Sequence, residues 1–342
     1  MRKTRCVWVD TVKLFACILV VLGHFFQSMV AADILPATPL YGWFNTTIYY
    51  FHVPLFFICS GYLYQRTTGV ASFSQWGGMV CRKALALGVS YFVFSTVTWL
   101  LKSVFADSVN EKADGLLHTL FVAPSSPYWY LYALFFLFCI TLTVKSNRGA
   151  ICAILVSVMM KLLSFVWSPD VPIVKYLLEN EIWFVLGMLL CYCRIPEKLD
   201  KTKCGYIVLL GCAFIAASVI VYMYPVWSSP IAFGMGLAGC FITVLAAIKL
   251  DGKCAGCRSL RWLSAYTFPI FLMHTIFAAG LRSLLFKVGI GNPVVHILLG
   301  LVISFAGPVL AAWILSKIKG MEFLLYPNKI LRIGGRENGK KA

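Results

Sequence analysis

Three histidines stand near the middle of long apolar stretches of the sequence. His24, His52 and His274 each fall near the centre of a run long enough to cross a bilayer as a helix, which takes about 20 residues. One such histidine is more often a hydrogen-bonding residue between helices than a catalyst, but three at similar depth favour a joint site. An unpaired imidazole in apolar surroundings costs on the order of 2 kcal/mol, so we expect the rings to share a polar cavity. Histidine exchanges a proton near neutral pH, which suits general acid–base catalysis or a proton relay.

A lysine precedes the first of these histidines at helical spacing. Lys13 lies eleven residues before His24, and at ~100° per residue eleven steps bring both side chains onto one stripe of a helix, ~16 Å apart. We interpret this stripe, with Asp10 just ahead of it, as the wall of a polar tunnel from the membrane surface to its middle. The alternative is that Lys13 only extends along the helix to the membrane interface.

The composition excludes an ordinary soluble domain. Of the 342 residues, 60% are hydrophobic and 13% are charged, whereas soluble domains carry about 25% charged residues. We therefore predict an all-α integral membrane protein, with a single domain whose core spans 8–318 and a basic cytoplasmic tail at 319–342. The 13 cysteines lie mostly in apolar runs and basic loops, and Cys254-x-x-Cys257 has no second pair. Neither a disulfide framework nor a metal site is therefore predicted.

Ten apolar runs predict a bundle of about ten transmembrane helices. They span residues 12–32, 44–64, 84–105, 128–145, 149–167, 173–193, 205–224, 229–249, 262–284 and 293–318. An even number places both termini on one side, and the connections on that side hold most of the 30 Lys and Arg residues. Both termini are therefore predicted to be cytoplasmic, in the cell membrane, and the net charge of +17 reflects this bias rather than a nucleic-acid partner. The predicted outer side holds only Lys102, Lys112, Lys175, Arg282 and Lys287, while Lys13 and Lys161 lie within runs.

Polar residues near the ends of the runs are candidates for binding. Arg82 and Lys83 open the third helix and could hold phosphates, or could belong only to the positive-inside signal. Glu179 and Glu181 lie at the predicted outer mouth of the sixth run and could bind an acceptor, or could simply be exposed carboxylates. Trp129 and the neighbouring Tyr130 could also bind an acceptor, or could form an interfacial aromatic belt. The loop before them ends in A-P-S-S-P, which is typical of a turn-rich surface segment.

Several motifs occur in a fixed order along the chain. A basic residue, ten intervening positions and a histidine form the first, from Lys13 to His24. The others are F-H-V-P-L-F-F-I-C-S-G-Y at 51–62, W-Y-L at 129–131, W-F-V-L-G-M at 183–188 and F-P-I-F-L-M-H at 268–274. Together they resemble the acyltransferase 3 family of membrane O-acyltransferases, and more narrowly its sugar O-acetylase-like subgroup, from residue 8 to about 318.

The resemblance implies an enzyme of about ten helices. Such enzymes transfer an acyl group, usually acetyl, from coenzyme A in the cytoplasm to a hydroxyl of a glycan or glycolipid at or beyond the outer face. His24 inherits the catalytic role of the first-helix histidine. Lys13 stands where many members carry arginine, and it keeps the charge without the two-pronged guanidinium.

The residues and the resemblance lead to one mechanistic hypothesis. The phosphates of acetyl-CoA bind near Arg82, the pantetheine arm passes Lys13, and His24 deprotonates a sugar hydroxyl for attack on the thioester, directly or through an acyl-histidine. The full assignment is His24, His52 and His274 for catalysis; Asp10, Lys13, Arg82 and Lys83 for acetyl-CoA; and Trp129, Tyr130 and Glu181 for the acceptor. The oxyanion donor is His52, His274 or a tyrosine hydroxyl.

The predicted partners are acyl-CoA, a cell-envelope glycan or lipid-linked sugar, and membrane lipids. Two other functions remain open at this point. A proton-coupled exporter or flippase would use the same histidines as a relay, and a membrane sensor or lipid-binding protein would use them for no chemistry. Turnover of acetyl-CoA separates the first hypothesis from both.

Overall fold

The chain forms a bundle of helices. The computed structural model describes residues 6–70, 72–105, 114–200, 204–224, 228–255 and 257–330, and within these ranges it contains no strand. The first eight helices are α1 Val7–Ala31, α2 Pro39–Tyr49, α3 His52–Thr67, α4 Phe73–Val104, α5 Leu116–Phe121, α6 Trp129–Ile140, α7 Asn147–Val166 and α8 Pro172–Tyr192. The others are α9 Ile195–Leu199, α10 Cys204–Met223, α11 Ser228–Ala255, α12 Arg258–Ala265, α13 Thr267–Lys287, α14 Pro293–Lys317 and α15 Pro327–Ile330, with a 3-10 turn at Met321–Leu324.

Seven of these helices are long and apolar enough to cross a membrane. They are α1, α4, α7, α10, α11, α13 and α14. The class of helical, multi-pass membrane protein is thus confirmed, while the total of ten spans and the side of the termini stay predictions. The other three predicted runs are helical, but two are shorter than predicted and the third, α8, carries Lys175, Glu179 and Glu181. Of the predicted tail at 319–342, residues 331–342 lie outside the described part of the chain.

Prolines divide two of the predicted runs. The run at 44–64 is not one helix, because α2 ends at Tyr49 and α3 begins at His52, so that Pro54 falls in the first turn of α3. The run at 262–284 divides in the same way, and Pro269 falls in the first turn of α13. A first-turn proline leaves no hydrogen bond unmade, since the first N–H groups of a helix have no intrahelical partner. The first break places His52 at the start of α3, and the second places His274 about two turns into α13.

Two glycines let α3 and α8 approach at backbone distance. A Cβ atom on Gly61 would collide with the carbonyl group of Phe184, and one on Gly187 would collide with the carbonyl group of Ile58. Small residues allow such close packing between membrane helices. The contact holds α8 beside α3, and α1 packs against α3, α11 and α13. This arrangement surrounds the carboxyl-terminal half of α1 with the elements that carry the other histidines.

Candidate active site

A large cavity occupies one end of the bundle. Its volume is about 1330 Å³, and we call it the histidine cavity. It lies where α1, α4, α7 and α13 end and where α11 begins, as shown by lining residues Ala31, Phe105, Phe165, Lys287 and Ser229. In the predicted topology this is the outer end. Small-ligand sites occupy about 300–1,000 Å³, so the histidine cavity has room for a larger ligand.

The structure brings the three histidines together at this cavity. All three line it. The ring centroids of His24 and His274 lie 5.4 Å apart. Tyr49 connects the third ring, since its centroid lies 4.6 Å from that of His52 and 6.5 Å from that of His24. Residues from α1, α2, α3 and α13 therefore form one aromatic, protonatable cluster.

Backbone carbonyls select the tautomer of two of the rings. Nδ1 of His274 lies 3.0 Å from the carbonyl oxygens of Ile270 and Phe271, and Nδ1 of His52 lies 2.6 Å from that of Ile48. A carbonyl oxygen only accepts hydrogen bonds, so Nδ1 carries the proton and Nε2 of the neutral ring presents a lone pair. Nε2 of His274 is buried and has no hydrogen-bond partner among the described residues. The neutral rings thus present Nε2 as a hydrogen-bond acceptor.

His24 faces a hydroxyl group that the sequence analysis did not single out. Its ring is half-buried, and its Nε2 lies 3.4 Å from Oγ of Ser126, which also lines the cavity. Ser126 belongs to the A-P-S-S-P stretch that we interpreted as a surface turn. The loop instead folds against the cluster, just before α6 begins at Trp129. In the sequence, the position of Ser126 just before the W-Y-L motif was the one feature that could have marked it as a site residue.

The predicted acceptor residues do not share one face. Trp129 lines the histidine cavity. Tyr130 is buried away from it, donating a hydrogen bond to the carbonyl of Phe56 at 3.3 Å and lying 3.0 Å from the hydroxyl of Ser60.

Glu181 is not at the mouth of the cavity as expected. It is only 5% exposed, and its carboxylate accepts hydrogen bonds from Oγ1 of Thr141 at 2.9 and 3.0 Å. Glu179 and Asn180 line the cavity in its place. Successive helical side chains point about 100° apart, so two positions are enough to turn Glu181 to another face of α8.

The predicted tunnel from Lys13 is closed in this structure. Lys13 and Asp10 lie near the start of α1, partly exposed, and neither lines the histidine cavity. Between Lys13 and His24 the same stripe carries Cys17 and Val20, which are 1% and 2% exposed. These packed side chains cover the path along the helix. Helical periodicity places these residues on one stripe, but it does not show whether neighbouring helices cover the middle of that stripe.

Arg82 and Lys83 line a second pocket, which we call the basic pocket. It has a volume of about 430 Å³ and includes Ser74 and Gln75 from the first turn of α4. Nζ of Lys83 lies 3.8 Å from the ring centroid of Phe138. It is also close enough to the cations of Lys13 and Arg82 to be repelled by them. Because α4 begins at Phe73, Arg82 and Lys83 lie in its third turn rather than opening the helix as predicted, and their clustered cations form a site suited to an anion.

The two pockets lie at opposite ends of α4. Arg82 lines the basic pocket and Lys102 lines the histidine cavity. Twenty residues of α-helix separate them, which corresponds to ~30 Å, about the thickness of the hydrocarbon core. Among the described residues, no group of three or more His, Cys, Asp or Glu side chains is arranged to hold a metal ion.

Comparisons with known proteins identify the family of the chain. A family model described as an acyltransferase domain, Acyl_transf_3, matches residues 7–313. The nodulation protein NolL of Mesorhizobium japonicum is 29% identical over 161 residues, which cover 46% of this chain and 41% of that protein. The match therefore spans less than half the length of that relative, and no solved structure matches the chain. Because the family model extends over the bundle from α1 into α14, the chain belongs to the acyltransferase 3 family.

Proposed function

We propose that the chain is a membrane O-acyltransferase that moves an acetyl group from acetyl-CoA on the cytoplasmic side to a hydroxyl of a cell-envelope glycan or lipid-linked sugar. The observation that carries the proposal is the cluster of His24, His52 and His274 on a large cavity in a chain of this family. Aromatic residues with polar edges also line the cavity and suit a sugar ligand: Tyr41, Tyr49, Tyr50, Trp129 and Trp183. The protein would work in the cell membrane.

The acceptor enters the histidine cavity, and His24 acts as general base. Its imidazole takes the proton of the sugar hydroxyl while the hydroxyl oxygen attacks the thioester carbon. The resulting oxyanion collapses, the bond from carbon to sulfur breaks, and the coenzyme A thiolate recovers the proton from His24. The products are an ester and free coenzyme A, and the bonds and protons balance.

Ser126 replaces His52 and His274 as the oxyanion donor in this mechanism. The neutral rings of His52 and His274 present lone pairs at Nε2, because their Nδ1 protons are directed at backbone carbonyls. A lone pair repels an oxyanion, whereas the Ser126 hydroxyl beside His24 can donate to it. His52 and His274 instead line the cavity as neutral rings that can accept a hydrogen bond from the acceptor at Nε2.

The donor binds from the opposite end of the bundle. The basic pocket holds the phosphates of acetyl-CoA through Arg82 and Lys83, and Lys13 adds a third cation nearby. Because Cys17 and Val20 are packed between Lys13 and His24, the acyl arm must displace side chains around α1 to reach the base. Binding of the donor and opening of this path are therefore coupled.

Thioester turnover tests the proposal. Protein reconstituted in lipid nanodiscs is given acetyl-CoA labelled in the acetyl group, together with total cell-envelope glycans, and released thiol and labelled glycan are both measured. Label transfer that His24→Ala abolishes supports the proposal. Solute flux that depends on a pH gradient, without thiol release, would instead favour a proton-coupled exporter.

A further inference from the structure

Three of the five basic residues on the predicted outer side line the histidine cavity, together with Lys161. The positive-inside bias leaves only a small number of Lys and Arg residues there. The four cationic side chains that line the cavity are Lys102, Lys161, Arg282 and Lys287. They come from three different helices, α4, α7 and α13. Among the described residues that line the cavity, Glu179 is the one carboxylate, so the charge of the wall is strongly positive.

Lys161 is held at the cavity wall rather than extended to the membrane surface. Its Nζ lies 5.3 Å and 5.4 Å from the ring centroids of Phe165 and Phe233, and both phenylalanines line the same cavity. Nζ also lies 3.5 Å from the carbonyl oxygen of Glu179. The two aromatic rings and the carbonyl oxygen fix the ammonium group at the cavity wall. By contrast, the exposed Lys175, at the same end of the bundle, does not line the cavity.

Arg282 places a guanidinium group above the histidine cluster. It is 6% exposed, and its Nη1 donates hydrogen bonds to the carbonyl oxygen of Ser28 at 2.9 Å and to the Ser28 hydroxyl. Ser28 lies one helical turn beyond His24, and Arg282 lies eight residues beyond His274, which corresponds to ~12 Å along α13. A ligand that reaches His24 from the mouth of the cavity therefore passes this guanidinium.

We propose that the acceptor is an anionic glycan, whose carboxylate or phosphate groups are held by Arg282, Lys287 and Lys161 while a hydroxyl reaches His24. This inference rests on the proposed function, because it names the class of its acceptor. Carboxylates and phosphates share the oxygen geometry that guanidinium and ammonium groups bind. The cavity volume of about 1330 Å³ accommodates more than one sugar ring.

Binding of matched probes tests this inference. Protein in nanodiscs of phosphatidylcholine alone is titrated with trigalacturonate and with its methyl ester, which has the same sugar rings without the charges. We expect the ester to bind at least about tenfold more weakly. A second pair, glucose 6-phosphate and glucose, determines whether phosphate is preferred to carboxylate as the anionic group. Equal affinity within both pairs would overturn the inference.

Variants assign the binding to the cavity. Lys287→Gln and Lys161→Gln should each weaken trigalacturonate binding about two- to fivefold, and the effect should shrink at high salt. The control is Lys175→Gln, which removes the same charge from the same end of the bundle outside the cavity. Equal losses in Lys175→Gln would overturn the inference.

Anionic lipid headgroups compete with a glycan for the same four cations, and the lipid composition of the nanodiscs distinguishes the two ligands. If nanodiscs containing phosphatidylglycerol abolish trigalacturonate binding, and the Lys287 and Lys161 variants lose affinity only for that lipid, the cavity binds lipid headgroups and the inference fails. The titrations contain no acetyl-CoA, so they do not depend on acetyl transfer. Charge-dependent glycan binding without thioester turnover would contradict the proposed function and leave the anionic ligand class supported.

Discussion

The imidazole rings of His24 and His274 lie 5.4 Å apart, centroid to centroid, although they belong to the first and the penultimate of the seven long apolar helices. Arg282 stabilises this pairing by bridging α13 to Ser28 of α1, one turn beyond His24. Because Nδ1 of His274 faces backbone carbonyls, Nε2 is the ring atom left to accept a hydrogen bond from a ligand. The packing thus places residues of α1 and α13 side by side at the histidine cavity.

Replacing His24 should remove acetyl transfer without removing the protein from the membrane. In His24→Ala we expect thiol release from acetyl-CoA to fall by about 10²–10⁴, the usual contribution of a general base. The control is His118→Ala, which changes an exposed histidine of α5. Its rate should stay unchanged, and full activity in His24→Ala would exclude that residue as the base.

Ser126→Ala should lower kcat more than it affects substrate affinity. The hydroxyl acts on charge that develops in the transition state, so its loss should reduce kcat by about 10²–10³ while the KM for acetyl-CoA stays constant. Ser125→Ala, at the adjacent position outside the cavity lining, is the matched control. A change in KM alone would show that Ser126 only contacts the substrate.

Arg82→Gln should weaken binding of coenzyme A about three- to tenfold, because a charge-assisted contact to phosphate is lost at a partly exposed site. Both proteins are also titrated with coenzyme A and with 3′-dephospho-coenzyme A. If Arg82 recognises the 3′-phosphate, the wild-type protein binds coenzyme A more tightly than the dephospho form, and Arg82→Gln binds the two equally. Arg148→Gln removes an exposed arginine from the first turn of α7 and serves as the control. If both variants lose the same affinity, the basic pocket does not bind the donor.

Neutralising the two carboxylates of α8 should affect glycan binding at one position and not at the other. Glu179→Gln removes the one lining carboxylate and should strengthen trigalacturonate binding about twofold. Glu181→Gln should leave that affinity unchanged, because its side chain is directed at Thr141. It should instead shift the thermal unfolding temperature. A change of glycan affinity in Glu181→Gln would place this residue back in the acceptor site.

Gly187→Ala should destabilise the contact between α3 and α8. The added methyl group meets the backbone carbonyl of Ile58, which cannot rotate away as a side chain does, so we expect a loss of about 1–3 kcal/mol in unfolding free energy. Gly211→Ala is the matched control, since open space surrounds Gly211 on α10. It should be neutral or slightly stabilising, because alanine favours helix over glycine. Equal unfolding temperatures in detergent would contradict the close packing.

The sequence by itself determined the membrane class, the family and the helices that carry the histidines. Apolar length fixes where a helix can cross a bilayer. The sequence also places Lys13 and His24 on one stripe of α1, because helical periodicity depends only on the spacing of the residues. None of these conclusions needs a neighbouring helix.

Only the tertiary structure decided what each stripe faces. Periodicity relates residues within one helix, but the neighbour of a stripe depends on packing between helices that are distant in sequence. Glu181 therefore turned to Thr141 instead of the cavity, and Cys17 was found packed between Lys13 and His24. Ser126 and Arg282 became candidates only when the bundle placed them beside the histidines.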